Sequence, residues 1–228
     1  MPKKITIREK QLKNLLEAMR PEFRLDSLRN MSFKDKVAYC KQMLGGQIGN
    51  GSSRMVFQID DETVLKLAKN RKGIAQNEKE IEFGHDYYIG DCFPKVFNGS
   101  DEENYLWIVS EFVLPAKEKD FMEVANMDFK DVDAFIGYVY ADDGKYGSFM
   151  RKQAGESIRK IYDKYDGNDE ATEILNNIHE LYYGYDMEIG DFRFIQNWGM
   201  VMRGGQPTLV ILDSGFSQEV NKQYYMRR

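Results

Sequence analysis

The chain shows three successive patterns of apolar and polar positions, and each predicts a different kind of structure. In the first part, apolar residues recur at helical spacing over 7–20, which predicts a helix. A second helix is predicted to run to Leu44 from Ser32, which can cap it because Asp35 stands at the matching position. Gly45 follows, where helices commonly end. The first part is therefore predicted to be a helical extension.

Between residues 47 and 113 the pattern is typical of strands. Two β-prone runs, Met55–Ile59 and Thr63–Leu67, flank a polar turn, which predicts a hairpin. A helix is predicted next, over Asn77–Phe83, because apolar positions return to helical spacing there. Two further strands are predicted at Pro94–Phe97 and Tyr105–Phe112. The predicted order is thus strand, strand, helix, strand, strand.

Beyond Pro115 the pattern predicts several helices and a terminal hairpin. The helices are predicted at 117–126, 128–140, 147–165 and 169–184. The final strands, Trp198–Met202 and Thr208–Leu212, flank a Gly-Gly pair that favours a tight turn.

The composition is that of a soluble globular protein. Of the 228 residues, 42% are hydrophobic and 30% are charged, which allows a sizeable core to be buried. The 32 basic and 37 acidic residues give a net charge of −5, which disfavours nucleic acid as the main partner. The longest apolar run is too short to span a membrane. Because Cys40 and Cys92 are the only cysteines, a disulfide framework is not expected. A cytoplasmic location is expected instead.

A short glycine-containing turn between two β-prone segments is the first candidate for chemistry. It contains Gly49, Gly51, Ser52 and Ser53, and the small residues allow backbone N–H groups to approach a phosphate chain. Lys66 on the next strand can neutralise the phosphate charge. A glycine pair alone more often marks an ordinary hairpin, so the order of the elements that follow carries the argument.

The order of motifs over residues 46–216 resembles the protein-kinase-like fold. Gly49-x-Gly51-x-x-Arg54 is similar to the glycine-rich loop, with an arginine where the third glycine usually stands. Lys66 looks like the lysine of the third strand. Glu78 looks like its partner on the following helix, and Glu82 is the alternative.

Three later segments continue the resemblance. Leu106–Val113 is similar to the fifth strand with its hinge, and Gly190–Asn197 is similar to the catalytic loop. Val210–Gly215 looks like the strand that carries the metal-binding D-x-G motif. Short kinase-like proteins encoded by bacteriophages look most similar. Such an origin implies the host cytoplasm or a virion as location, and a host or virion protein as partner.

The resemblance implies a role for each motif. ATP would bind under the glycine-rich turn, with its phosphates at Lys66 and its adenine edge at the backbone of Glu111 and Val113. Asp191 would orient or deprotonate an acceptor hydroxyl. The metal ligands implied for Mg²⁺ are Asn197 and Asp213.

The implied fold class is α+β, with two lobes and an N-terminal helical extension. The expected boundaries are 1–45 for the extension, 46–114 for the N-lobe and 115–228 for a truncated, mostly helical C-lobe. Little of the given sequence follows the D-x-G motif, so no counterpart is expected in it for the activation segment or for the helices that bind peptide substrates in larger kinases.

Two functions stay open at this point. Asn197 follows Asp191 by six residues, whereas five is usual for the catalytic loop, and no His-Arg pair precedes Asp191. An ATP- and Mg²⁺-dependent enzyme that transfers a phosphoryl group to a protein or small-molecule hydroxyl is one prediction. An inactive pseudokinase that serves as a protein-interaction or virion module is the alternative.

Overall fold

The computed structural model describes residues 22–100, 104–142, 148–212, 215 and 217–224. Within these residues the chain forms seven α-helices and two antiparallel sheets, which makes it a mixed α+β protein. The helix predicted over 7–20 lies outside the described residues. No helix in the described part combines the length and apolar character needed to cross a bilayer.

The first sheet has five strands in the order β1-β2-β3-β5-β4. They are β1 Gly49–Asn50, β2 Arg54–Gln58, β3 Thr63–Ala68, β4 Val96–Gly99 and β5 Trp107–Glu111. The predicted β2–β3 hairpin is confirmed, and its turn is fixed by Asp60, whose carboxylate accepts hydrogen bonds from the N–H groups of Glu62 at 2.9 Å and Thr63 at 2.7 Å. Strand β1 was not predicted because it spans only two residues.

Helix α1, Phe33–Leu44, covers one face of this sheet. Its predicted cap is confirmed, since Ser32 Oγ accepts from the Asp35 N–H group at 3.3 Å. The helix ends at Gly45, whose φ of +90° favours glycine. The apolar residues buried between helix and sheet include Leu28, Cys40, Met55, Phe57, Leu65, Leu67, Trp107 and Val109.

Helix α2, Arg71–Gly84, packs against β3, β4 and β5. It begins six residues before the predicted Asn77, because the Asn70 side chain caps it by accepting from the N–H groups of Lys72 and Gly73. Its buried residues are mostly polar or small, and they include Gln76 and Glu80. A helix with this burial pattern brings charged and amide groups to the sheet.

The rest of the described chain is helical apart from a second sheet. Its helices are α3 Glu118–Ala125, α4 Phe129–Asp142, α5 Ser148–Lys164, α6 Asp169–Tyr183 and α7 Gln218–Tyr224. The second sheet, in the order β6-β7-β8, consists of β6 Leu114–Pro115, β7 Trp198–Arg203 and β8 Gln206–Ile211. The four predicted helices from α3 to α6 and the terminal hairpin are confirmed, and Gly204 and Gly205 both adopt positive φ in its turn.

A second apolar cluster holds these helices on the terminal hairpin. Phe121 of α3 meets Trp198 of β7 edge to face, with ring centroids 5.2 Å apart. The Trp198 indole N–H group donates to the Phe192 carbonyl oxygen at 2.7 Å. The segment before β7 is thereby anchored in the core at the point where the catalytic-loop-like motif was predicted.

Candidate functional site

The glycine-containing turn joins β1 to β2. Gly49 and Asn50 pair with Val56 and Met55, and the Gly51 N–H group closes the turn by donating to the Arg54 carbonyl oxygen at 3.0 Å. Gly51 and Ser52 are exposed, whereas Ser53 is buried. Gly51 and Ser52 therefore form the exposed tip of the turn, with the Gly51 N–H group already engaged inside it.

The base of the turn is attached to the start of α2. Ser53 Oγ donates to Gln76 Oε1 at 2.5 Å, and both side chains are buried. The Asn70 side-chain amide donates to the Ser52 carbonyl oxygen at 3.2 Å. The N–H group of Lys69 also donates to the Ser53 carbonyl oxygen, at 2.8 Å. These bonds fix the turn relative to the helix.

Lys66, Glu80 and Arg54 form a buried ion cluster between the sheet and α2. Lys66 Nζ lies 2.7 Å from Glu80 Oε2, and Arg54 Nη1 lies 2.6 Å from Glu80 Oε1. The Glu80 side chain is only 2% exposed. Each carboxylate oxygen therefore receives one cation, which is the arrangement that makes a buried carboxylate tolerable.

The two cations determine the ionisation of Glu80. Burial by itself raises the pKa of a carboxyl group, but the charges and hydrogen bonds of Arg54 and Lys66 outweigh it and hold the pKa of Glu80 below its usual value. Glu80 is thus a carboxylate near neutral pH. The cluster carries two positive charges and one negative charge, which leaves a net positive charge beside the turn.

The partner predicted for Lys66 is wrong. Glu78 is exposed, and the alternative Glu82 is exposed and pairs with Lys79 at 2.8 Å. Glu80 takes the place of both because it lies on the helix face that is turned towards β3. The catalytic role predicted for Glu78 requires an ion pair with Lys66, and the exposed side chain of Glu78 does not form that pair.

The sheet face that carries Lys66 also carries apolar side chains. Strand register places Val56 and Ile108 opposite Lys66, and Ser110 opposite Val64. Side chains at alternate positions share a face, so these five residues lie together. Ser110 is fully buried, and its hydroxyl has no hydrogen-bond partner in the described part of the chain. Of the five, Val56 is partly exposed, whereas Val64, Lys66, Ile108 and Ser110 are buried.

At the end of β5, Glu111 is engaged by its own neighbours. Its N–H group donates to the Lys95 carbonyl oxygen at 2.8 Å, and its carboxylate oxygens each lie 2.6 Å from a nitrogen of the Arg203 guanidinium. Burial raises the pKa of Glu111, but Arg203 outweighs this effect and the pKa lies below its ordinary value. An adenine contact predicted at Glu111 and Val113 would have to use other backbone groups than the Glu111 N–H.

The catalytic-loop-like segment forms two consecutive 3₁₀ turns, Ile189–Arg193 and Ile195–Asn197. These turns accommodate the extra residue between Asp191 and Asn197. The side-chain amide of Asn197 donates to the Asp191 carbonyl oxygen at 2.8 Å, and the Asn197 carbonyl oxygen accepts from the Leu212 N–H group at 2.9 Å. The segment is therefore fixed to the end of β8, and the structure brings Asp191 and Asn197 together.

The metal part of the prediction rests on Asp213 and Asn197. Asp213 follows Leu212 in the sequence but lies outside the described residues. In the part of the chain that the structure describes, no three acidic, histidine or cysteine side chains are grouped so that they could hold a metal ion. The side-chain oxygen of Asn197 is a donor that suits Mg²⁺, and the role of Asp213 stays a prediction.

A groove of about 980 Å³ borders the catalytic-loop-like segment at Gly190, Arg193 and Phe194, and Asp191 is not among its lining residues. It is lined by Asp133, Gly137, Tyr140, Ala141, Met150, Glu188, Gly190, Arg193 and Phe194. Arg193 Nε pairs with Asp133 Oδ1 at 2.5 Å, and Glu188 accepts a hydrogen bond from the Tyr140 hydroxyl. The walls thus offer polar groups that are held in place, next to exposed apolar surface from Phe194 and Met150.

Sequence reasoning missed Glu80, the role of Arg54 and the Glu111–Arg203 pair. A signal for Glu80 was present, because Gln76, Asn77 and Glu80 follow one another at helical spacing and form a polar stripe. Such a stripe is usually taken for a solvated face. Nothing in the sequence indicated Arg203, which lies 92 residues from Glu111.

No family model and no curated protein matches the chain. Among solved structures, APH(2'')-IIa in a ternary complex with streptomycin and ATP is similar over 82% of this chain and 71% of its own, at 14% identity and a TM-score of 0.32. APH(2'')-IIa in complex with gentamicin is similar over 82% of this chain and 70% of its own, at 13% identity and a TM-score of 0.31. An APH(2'') protein in complex with GDP and kanamycin is similar over 75% of this chain and 67% of its own, at 14% identity and a TM-score of 0.31. At these TM-scores the likeness carries no argument about activity.

Proposed function

We propose that the protein is a kinase-like phosphotransferase that binds ATP between a small N-terminal lobe and a mostly helical C-terminal lobe. The observation that carries the proposal is the buried ion pair between Lys66 and Glu80, on the sheet face beside the glycine-containing turn. An ion pair of this kind is what a kinase needs in order to hold its phosphate-binding lysine. The boundaries at 45 and 114 stay predictions, as do a phage origin and a host or virion partner.

In this proposal the sheet face binds the nucleotide. Lys66 contacts the phosphates while Glu80 orients its ammonium group, and the exposed tip of the turn at Ser52 lies over the phosphate chain. The partly exposed side chain of Val56 packs against the purine ring. Phosphoryl transfer asks little covalent chemistry of the protein, so positioned charges supply the rate.

The acceptor side of the site is proposed at Asp191. Its carboxylate would orient or deprotonate the hydroxyl of the acceptor. A bound Mg²⁺ ion would supply neutralisation of phosphate charge, and Asn197 and Asp213 are the residues proposed to hold it. The acceptor is a hydroxyl of a protein or of a small molecule.

Thermal unfolding tests nucleotide binding. Mg²⁺·ATP at about 100 times its dissociation constant is expected to stabilise the protein by about 2.7 kcal/mol. For a chain of this size the midpoint would rise by about 5–10 °C. Lys66→Ala is expected to lose the shift, and Lys34→Ala, an exposed lysine on α1, to keep it. No shift for the wild-type protein at millimolar nucleotide would contradict the proposal.

A pseudokinase is the second candidate, and one observation favours it. Asn197 follows Asp191 by six residues, whereas five is usual for the catalytic loop. Transfer of the γ-phosphate of ATP to the protein itself or to a small hydroxyl acceptor separates the two candidates. Transfer that Asp191→Asn and Asp213→Ala both abolish supports the enzyme. Nucleotide binding without any transfer supports the pseudokinase.

A further inference from the structure

Arg54 stands where the glycine-rich loop of kinases usually has its third glycine. It is the first residue of β2, and its side chain is 9% exposed. Arg54 Nη1 lies 2.6 Å from Glu80 Oε1 and 3.4 Å from Asn77 Oδ1. The guanidinium therefore points away from solvent and onto the carboxylate that also holds Lys66.

We propose that Arg54 is a positioning residue for the phosphate-binding lysine. It holds Glu80 from the side of the turn, so that the turn, α2 and Lys66 are assembled before a nucleotide binds. This inference rests on the proposed function, because it concerns the same phosphate site. It adds a residue that has no counterpart in the motif that the chain resembles.

The shared carboxylate explains why a second cation is useful. A lysine that moves from a buried carboxylate towards a phosphate leaves that carboxylate without its counter-charge, which is costly. Arg54 stays on Oε1 of Glu80 whichever way the Lys66 ammonium leans. The guanidinium is suited to this role because it does not lose its proton at any accessible pH.

The turn supports the same conclusion. Besides its bonds to Gln76 and Asn70, it accepts a hydrogen bond from Lys69 Nζ to the Gly51 carbonyl oxygen at 2.5 Å. A Cβ atom on Gly73 would lie only 3.0 Å from the Ala68 Cα atom, so the start of α2 and the end of β3 are in close contact. A turn that is already fixed loses little conformational freedom when it binds a ligand.

The test compares ATP with adenosine, which lacks phosphates, on Arg54→Met, Arg54→Lys and wild type. Arg54→Met is expected to bind ATP at least about tenfold more weakly, the cost of one charged hydrogen bond, while its affinity for adenosine is unchanged. Arg54→Lys is expected to bind ATP with intermediate affinity. In a Lys66→Ala background, Arg54→Met is expected to cause no further loss of ATP affinity.

Several outcomes would overturn the inference. Unchanged ATP affinity in Arg54→Met would do so, and so would equal losses for ATP and adenosine, which indicate a merely structural role. If Arg54→Met does not fold, Arg54→Lys decides the matter, and wild-type ATP affinity in that variant counts against the inference. Failure of the wild-type protein to bind ATP overturns the proposed function as well, so the two failures are distinguishable.

Discussion

Lys66 Nζ and Glu80 Oε2 lie 2.7 Å apart, with both side chains almost completely buried. The pair connects the middle of β3 to α2, and Arg54 connects the same carboxylate to β2. A buried carboxylate that loses its charge leaves two cations without a partner, and such changes are strongly destabilising. Glu80 is therefore one of the side chains that hold α2 on the sheet.

Glu80→Gln is expected to lower the free energy of unfolding by about 3 kcal/mol, within the range for breaking a buried ion pair. Glu78→Gln, a matched change on the exposed face of the same helix, is expected to have no measurable effect. Urea denaturation followed by circular dichroism gives both values. Equal stability of the two variants would show that the buried pair does not hold α2 in place.

The loss of stability at acidic pH is expected to depend on protonation of the Glu80 carboxylate. Because its pKa is lower in the folded protein than in the unfolded chain, the unfolded chain binds the proton more readily. The stabilisation is complete above the ordinary pKa of about 4.3 and is lost as the pH falls through the folded-state pKa. Denaturation at pH values from 6 to about 3 should show a shallower decline for Glu80→Gln than for wild type. Parallel curves for the two proteins would refute this expectation, and Glu78→Gln should follow wild type.

Ser110→Ala is expected to change stability and nucleotide affinity in opposite directions. The Ser110 hydroxyl is buried without a partner in the described chain, so its removal should leave the unfolding free energy unchanged or raise it by about 1 kcal/mol. If the hydroxyl serves a ligand on the face of Lys66, ATP binding should weaken in the same variant. Denaturation and calorimetric titration check the two effects, and a loss of stability would contradict the first.

Gly215→Ala is expected to disturb the packing between α2 and the chain that follows β8. A Cβ atom at this position would lie 2.8 Å from the Gln76 Cα atom, so the helix or the chain after β8 must move. A loss of stability of about 1–3 kcal/mol and weaker ATP binding are expected. Gly155→Ala in α5 is the control, because a Cβ atom there meets open space and alanine favours a helix. Gly215→Ala with wild-type stability would show that this contact is easily relieved.

Local signals predicted much of the fold. Ser32 with Asp35, the turn at Asp60 and the Gly204-Gly205 pair all act within a few residues, and each formed where it was predicted. The helices from α3 to α6 also followed their apolar spacing. Elements that depend on distant contacts were missed, such as β6, whose two residues are a strand only because β7 lies beside them.

The order of the elements that carry the candidate site was predictable from the sequence, but the side chains that pair with one another in the site were not. The turn, Lys66 and the Asp191–Asn197 segment lie on the elements where the motifs placed them. The choice of Glu80 over Glu78 depends on the rotation of α2 against the sheet, which is fixed by Asn70 at its start and by close contact at Gly73. A sequence pattern gives the period of a helix, but tertiary packing decides which side faces the sheet.

The bidentate pair between Glu111 and Arg203 has a consequence for motion. It joins the last residue of β5 to the end of β7, and Arg203 also donates to the Phe93 carbonyl oxygen at 3.3 Å. The pair therefore joins the two sheets next to residues 112–113, which connect β5 to β6, and a separation of the sheets at this point would require the pair to break. Because both side chains of the pair are mostly buried, added salt should weaken it little. If separation of the two sheets limits the escape of a bound molecule, Arg203→Met, which removes the pair, should shorten the residence time of that molecule.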